Sequence, residues 1–368
     1  MVELVALSTR DVRHPLGGGA NFYTHMVLSG LRLERKVLIS ERSHGLDDLE
    51  MIDGIEVHRV TPPAHLNALV AARLFKPDLV VEVVDVFFPW FSSAVHPSVP
   101  RILIFFQADA RKMYYEYARP FAEFGNKFEK FLYLPYRNWK ALTISESSER
   151  SLIEFGLKSE NIVVAEPGVE SDYFRYDPKD YTRVKSATPL IVVLSRLRAY
   201  KGIQYAIAAL PAILRNIPGA KLCVLGFGPR LKFAKSLEHS VEAMGLRDNV
   251  SIRYDVPRSE RIAILTGAHI MLNPSVSEGW GINILQSNAC MTPCVAWNVE
   301  GVRDSIKDGS TGRLIPFGNV DEMAEAAVKL LSDRSVLMQM ARNAYFWARE
   351  HTWDRTVGKA QELINAIL

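Results

Sequence analysis

Cysteine is scarce in this chain, with Cys223, Cys290 and Cys294 its three representatives. An odd number cannot all pair, and no close pair sits beside histidines, so neither a disulfide scaffold nor a zinc site is expected. They read as reduced, buried apolar side chains. Long hydrophobic runs are missing as well. Nothing approaches the roughly 18 uninterrupted apolar residues of a membrane span, and a strand-like segment starts at residue 2 with no basic stretch and cleavage site before it. The cytoplasm is the expected location. Charge of one sign is also lacking: 44 Lys and Arg against 41 Asp and Glu leave a net +3. Without a basic surplus, nucleic acid is not an expected partner. Internal repeats and low-complexity tracts are absent, which sets aside solenoid and disordered architectures.

What is present is apolar residue in quantity, 48% of 368 residues, enough for two domains with separate cores. Short runs of Val, Ile, Leu and Phe at residues 2–7, 36–40, 57–60, 79–83, 102–106, 142–145 and 162–165 alternate with polar or helical stretches. Near-continuous apolar runs are what parallel strands covered on both faces require. A polar segment, with Asp177-Pro178 and Thr188-Pro189 as punctuation, follows. The pattern then restarts with strands at 190–194, 222–225, 250–254, 270–272 and 294–296 and a helix at 202–216. The expectation is an α/β fold of two Rossmann-like domains, 1–175 and 189–350, with a cleft between the carboxyl edges of their sheets. Ligands of open α/β sheets bind at such edges.

Three loops carry candidate chemistry. Gly17, Gly18 and Gly19 stand between the first strand and a helical stretch from Asn21, where glycine permits close backbone approach to a ligand and a helix N-terminus favours an anion. The spacing matches neither the dinucleotide fingerprint nor the P-loop, and a flexible turn would look the same. Arg196 and Lys201, in Ser195-Arg196-Leu197-Arg198-Ala199-Tyr200-Lys201-Gly202, lean over one helix start. A planar fork and a point charge there suit a pyrophosphate, though two cations also fit a solvated face. The most specific loop runs from Asn273 through Glu278, Gly279, Trp280 and Gly281 to Ile282 and Asn283, with Gln286 about a turn into the next helix. A carboxylate and an amide so placed can bind sugar hydroxyls from one loop and one helix face.

With these motifs in order, the chain resembles the retaining GT-B glycosyltransferases of glycosyltransferase family 4, the glycogen-synthase-like group 1. Beyond the three loops, the resemblance rests on Glu166-Pro167-Gly168-Val169-Glu170 with Asp172 and Phe174, on Asp308-Gly309 with Thr311-Gly312, and on the tail His351-Thr352-Trp353-Asp354. It implies a GT-B fold whose closing helix, 351–368, packs back on the first domain. It also implies hexosyl transfer from a nucleoside diphosphate sugar, UDP- or GDP-linked, to a glycan or lipid-linked acceptor hydroxyl. The implied reaction retains anomeric configuration and requires no metal or other cofactor. Arg196 and Lys201 would hold the pyrophosphate, Gly18 and Gly19 would close on it, and Glu278 would bind the transferred sugar. Gly279, Gly281, Ile282 and Asn283 would add backbone donors, and main-chain groups around Tyr254 and Val256 would meet the base.

Two positions depart from the family pattern. Gln286 stands where a ribose-binding glutamate is usual, and Gln107, in Phe105-Phe106-Gln107-Ala108-Asp109, where a histidine is usual beside the sugar. Glutamine hydrogen-bonds but carries no charge and is no base. The alternatives are therefore a donor-binding module with weak or no turnover, or a GT-B phosphorylase or epimerase. An aromatic stripe remains: Phe121, Phe124, Phe128 and Phe131 at helical spacing beside Lys127 and Lys130, preceded by Arg111, Lys112, Tyr114, Tyr115 and Tyr117. It fits either a buried helix face or a surface that rests on the inner face of a membrane, and Phe87-Phe88-Pro89-Trp90-Phe91 carries the same two readings.

Overall fold

The computed structural model describes residues 2–85, 89–108, 110–116, 118–228 and 231–368, without the side chains of Ala110, Arg111, Glu116, Asn126, Lys127 and Leu231. The expectations placed on Phe87, Phe88, Asp109, Arg111, Tyr117 and Lys127 lie outside the described residues or side chains. Two compact units form: Met1–Pro167 with Trp353–Leu368, and Gly168–Thr352.

The first unit is built on eight strands: β1 (Glu3–Leu7), β2 (Arg35–Glu41), β3 (Leu49–Ile52), β4 (Ile55–Val60), β5 (Leu79–Val84), β6 (Arg101–Phe105), β7 (Lys140–Thr143) and β8 (Ile162–Val164). Their order is β3-β4-β2-β1-β5-β6-β7-β8, parallel except where β3 pairs antiparallel with β4. That hairpin turns on Asp53 and Gly54, both at positive φ (47° and 78°), the two-residue loop whose twist suits paired strands. Helices cover both faces, so β5 is buried throughout, including Glu82. Its carboxylate is satisfied there by the N–H groups of Trp90 (3.0 Å) and Ser92 (2.6 Å) and the Tyr136 hydroxyl (2.6 Å). Trp353–Leu368 are part of this unit. The helix Trp353–Asn365 packs Val357 against Gly30, whose absent Cβ would lie 2.7 Å from it, and Lys359 reaches Glu166 at 2.8 Å.

The second unit holds six parallel strands, β9 (Leu190–Arg196), β10 (Lys221–Phe227), β11 (Val250–Tyr254), β12 (Ile270–Asn273), β13 (Cys294–Trp297) and β14 (Gly312–Ile315), in the order β11-β10-β9-β12-β13-β14. The polar segment that reads as an interdomain boundary lies within this unit. Arg258 forks onto Asp172 (2.6 and 2.7 Å) and reaches Glu170 (2.8 Å). Lys185 buries its ammonium and donates to the Ala268 and Cys290 carbonyls (2.5 and 3.3 Å) and to Thr292 Oγ1 (2.7 Å). Those carbonyls end the helices Arg258–Gly267 and Ile282–Ala289, where a cation offsets the negative pole of each. Burial pushes the Lys185 ammonium down to about 7.

The aromatic stripe settles differently from an ordinary core face. On the helix Arg119–Leu132 the buried side is Ala122, Glu129 and Leu132, while Phe121, Phe124 and Phe131 are 72%, 67% and 64% exposed and Phe128 is 37% exposed. Trp90 of the other aromatic cluster is buried and donates Nε1–H to the Val83 carbonyl at 2.9 Å. All three cysteines are buried and unpaired. Among the described residues no helix is long and apolar enough to cross a membrane.

Candidate functional site

In the second unit the sheet grows from β9 outward to β10 and β11, then returns to place β12 on the other side of β9. The loops after β9 and β12 therefore leave the sheet in opposite directions and open a crevice at its carboxyl edge. Both contain sequence-predicted residues. They touch closely because Gly202 has no side chain: a Cβ there would lie 1.8 Å from the Pro274 carbonyl oxygen. Val276 N–H donates to the Tyr200 carbonyl across the same seam (2.8 Å).

This seam brings Lys201 and Glu278 together. Lys201 Nζ lies 2.6 Å from Glu278 Oε1, with side chains only 11% and 12% exposed. Ser275 Oγ donates to the same oxygen at 2.9 Å, and among the described residues Oε2 of Glu278 accepts no hydrogen bond. Arg196, the last residue of β9, directs Nη2 to the Tyr200 hydroxyl at 3.2 Å. Gly301 lies against the backbone of this loop, since a Cβ there would come within 2.1 Å of the Glu278 main-chain carbonyl oxygen.

Gly279 and Gly281 continue the loop into the helix Ile282–Ala289, which Gly281 caps in the left-handed region at φ 101°. The Asn283 side chain is committed to the fold. Its Nδ2 donates to the Leu194 carbonyl (2.7 Å) and its Oδ1 accepts from Ile284 N–H (3.1 Å), which pins the helix start to β9. The N–H groups of Ile284 and Leu285 bond the Gly281 carbonyl, so Ile282 and Asn283 are the first-turn residues left to offer a ligand backbone donors. Gln286 sits one turn further in and is buried. Tyr254 is the last residue of β11 and Val256 lies just beyond it, two strands from β9. The Tyr254 hydroxyl donates to Glu238 (2.6 Å), and burial together with that carboxylate holds the phenol up at about 12.

In the first unit the sheet reverses between β1 and β5, and the glycine loop follows β1. Gly18 caps the helix Gly19–Gly30, which starts two residues ahead of Asn21, and its N–H donates to Asn21 Oδ1 (2.9 Å). Gln107 lies half-buried just past β6, next to Phe106, whose ring meets Tyr23 of that helix edge-on at 5.5 Å. Two residues that motif reading passes over hold this edge. Asp85, directly after β5, accepts from Thr9 Oγ1 (2.5 Å) and Asn21 Nδ2 (2.8 Å), and Asp11 is buried against Arg59. The signal for Asp85 is its place alone, the first polar residue beyond an apolar strand. Among the described residues no three His, Cys, Asp or Glu side chains cluster as metal ligands would.

A GDP-mannose-dependent alpha-(1-6)-phosphatidylinositol monomannoside mannosyltransferase of Mycobacterium tuberculosis is 30% identical over 211 residues, 54% of each chain. The chain thus spans about half the length of the curated relatives it matches. Among solved structures, Anabaena Alr3699/HepE in complex with UDP and glucose superposes with a TM-score of 0.79 over 100% of both chains at 16% identity. Sucrose-phosphate synthase from Thermosynechococcus elongatus does so with a TM-score of 0.81 over 100% of this chain and 99% of its own, at 18% identity. Residues 179–347, which hold the Lys201–Glu278 seam, match the profile of glycosyl transferases group 1. The chain therefore has a GT-B fold of two Rossmann-like units, the second of which contains the stretch similar to glycosyl transferases group 1.

Proposed function

We propose that the protein is a retaining glycosyltransferase that moves a hexosyl group from a nucleoside diphosphate sugar to a hydroxyl of a glycan or lipid-linked acceptor, with no metal ion. The observation that carries this reading is the Lys201–Glu278 pair at the switch point of the second sheet. Lys201 and Arg196 supply the positive charge that a diphosphate leaving group needs. Glu278, anchored through one oxygen, keeps the other for sugar hydroxyls. The bond from the anomeric carbon to the diphosphate breaks, the acceptor oxygen bonds that carbon on the same face, and the acceptor proton passes to the departing phosphate. Gln286 serves the ribose, main-chain groups at Tyr254 and Val256 serve the base, Gly18 and Gly19 close on the diphosphate, and Gln107 acts beside the sugar.

Binding and turnover test this together. UDP or GDP at about 100 times its dissociation constant is expected to stabilise the protein by about 2.7 kcal/mol. The matching sugar nucleotide is expected to release free diphosphate with acceptor present, in excess chelator as well. No thermal shift with any nucleoside diphosphate would overturn the reading. Activity lost in chelator and restored by magnesium or manganese would overturn its metal independence.

The exposed phenylalanine row supports a second element of the proposal: the acceptor is reached at an anionic membrane surface. Phe121, Phe124 and Phe131 point outward in company with the exposed cations Arg119 and Lys130, an amphipathic arrangement suited to a headgroup layer. Co-sedimentation with phosphatidylglycerol vesicles is expected at low salt, weakening as salt rises. Phe121→Ser with Phe124→Ser is expected to abolish it; binding unchanged in that double variant would exclude the helix as the contact.

A further inference from the structure

The loop from β1 to the helix Gly19–Gly30 is held by a buried charge pair, Asp11 and Arg59, that lies outside the motifs named above. Arg59 comes from β4, two strands away from β1. Its side chain is fully buried and grips Asp11 with two nitrogens, Nε to Oδ2 at 2.8 Å and Nη2 to Oδ1 at 3.1 Å. Its remaining donors reach the Asp47 carbonyl (2.6 Å) and Glu50 (2.9 Å). Asp11 uses both oxygens twice, accepting also from Ser40 Oγ (3.1 Å) and Arg13 N–H (2.9 Å). Burial alone would raise the Asp11 carboxyl, but the Arg59 fork, the Arg13 N–H and the Ser40 hydroxyl outweigh it and hold it below its ordinary value.

From Asp11 the order passes along the backbone. The Asp11 carbonyl accepts His14 N–H (3.2 Å), and the His14 carbonyl accepts Gly17 N–H (2.7 Å). Gly17 fits there only without a side chain, because a Cβ would lie 2.9 Å from the His14 oxygen and 3.3 Å from that of Asp11. Gly18 follows, fixed by Asn21. Every step from Arg59 to Gly18 is thus a hydrogen bond or a close backbone contact. A fork of this kind fixes direction as well as distance, which a lysine cannot do.

We propose that Arg59 is a positioning residue for the glycine loop, acting through Asp11, so that Gly18 and Gly19 stand ready for the donor before it arrives. The inference rests on the donor reading given above. It separates two properties: Arg196 and Lys201 hold the nucleoside diphosphate by their charge, whereas Arg59 governs the placement of the backbone that closes on it when the sugar nucleotide turns over. Loop placement should therefore tell on kcat far more than on diphosphate affinity, since the charges that hold the diphosphate stay in place while a misplacement of about 1 Å is enough to cost on the order of a hundredfold in rate.

The test uses Arg59→Met, Arg59→Lys and the double variant Asp11→Asn with Arg59→Met in the full chain. Amide hydrogen exchange is read first and needs no activity. Faster exchange at Arg13, His14 and Gly17 in Arg59→Met, with the β5 amides unchanged, is expected; unchanged loop amides would overturn the clamp itself. UDP or GDP affinity is expected to stay within about twofold of wild type while kcat falls on the order of a hundredfold. Arg59→Lys is expected to lower kcat too, having charge without a fork. The double variant, which leaves no unpaired carboxylate, is expected to recover thermal stability and not kcat. Recovery of both together, or a kcat loss matching only the unfolded fraction, would overturn the positioning role. A wild-type protein that binds no nucleoside diphosphate would instead remove the donor reading, with the exchange result still deciding the clamp.

Discussion

Lys201→Ala is expected to lose on two counts that can be measured separately. The variant leaves the Glu278 carboxylate, 12% exposed, without the cation 2.6 Å from it. Truncating one partner of a mostly buried pair leaves an uncompensated charge; with residual exposure discounted, the cost is about 2 to 3 kcal/mol of folding stability. Binding of a nucleoside diphosphate is expected to weaken by about 1.5 to 3 kcal/mol, roughly 10- to 150-fold, because a charge-assisted contact to phosphate goes with the amine. Glu278→Gln runs the other way. It keeps the shape and frees Lys201 from its counter-charge, so diphosphate affinity is expected to hold or rise while kcat falls by about a hundredfold. Denaturant titration reads the first effect and calorimetry the second. Unchanged diphosphate affinity in folded Lys201→Ala would sink the phosphate assignment, and unchanged kcat in Glu278→Gln the sugar assignment.

The seam explains why so much of the second unit is legible in sequence and so little of what surrounds it. Strands such as β9 and β10 are continuous apolar runs, and their two-sided burial follows from composition alone. The loops after β9 and β12 carry glycines and charges at the carboxyl ends of those strands, where open sheets bind ligands. By contrast β14 opens on Gly312, which reads as a turn; it is a glycine because a Cβ would lie 2.3 Å from the Cys294 carbonyl oxygen, a packing fact that no local pattern shows. The edge strand β3 escapes for another reason. Glu50 faces Arg59 there, and the Asp53-Gly54 turn that would have announced the hairpin is flanked by only four-residue and six-residue strands.

Polar contacts between residues distant in sequence are legible least of all. Asp11 and Arg59 are 48 positions apart, Lys185 and Thr292 are 107 apart, and each residue alone looks like ordinary solvated surface. The phenylalanine row shows the converse limit. Its spacing fixes that the four rings share one side of a helix but not whether that side faces core or solvent, which depends on Ala122, Glu129 and Leu132 filling the inward face. Asn283 is a similar case: its motif position suggests a ligand contact, while the geometry uses its amide to tie the helix Ile282–Ala289 to Leu194 and leaves its backbone N–H at the site.

Gly202→Ala is expected to be the most damaging small substitution in the second unit. Gly202 sits at φ 73°, a left-handed conformation that costs an L-residue roughly 1 to 2 kcal/mol by itself. The added methyl would lie 1.8 Å from the Pro274 oxygen and 2.6 Å from its carbonyl carbon. These are backbone atoms and cannot rotate aside, so the loops after β9 and β12 must part. Parting them breaks the Val276 to Tyr200 hydrogen bond and carries Lys201, the adjacent residue, away from Glu278. Strain and the lost contacts together place the expected destabilisation at about 4 kcal/mol or more, in the range reserved for a named steric fault. Diphosphate binding should disappear with it. Gly245→Ala supplies the control, since Gly245 has a similar φ of 67° with nothing within 4 Å of its would-be Cβ. Its cost is expected to be the left-handed term alone, with binding intact. Gly202→Ala melting with Gly245→Ala and still binding UDP or GDP would mean that contact between the two loops does not build the site.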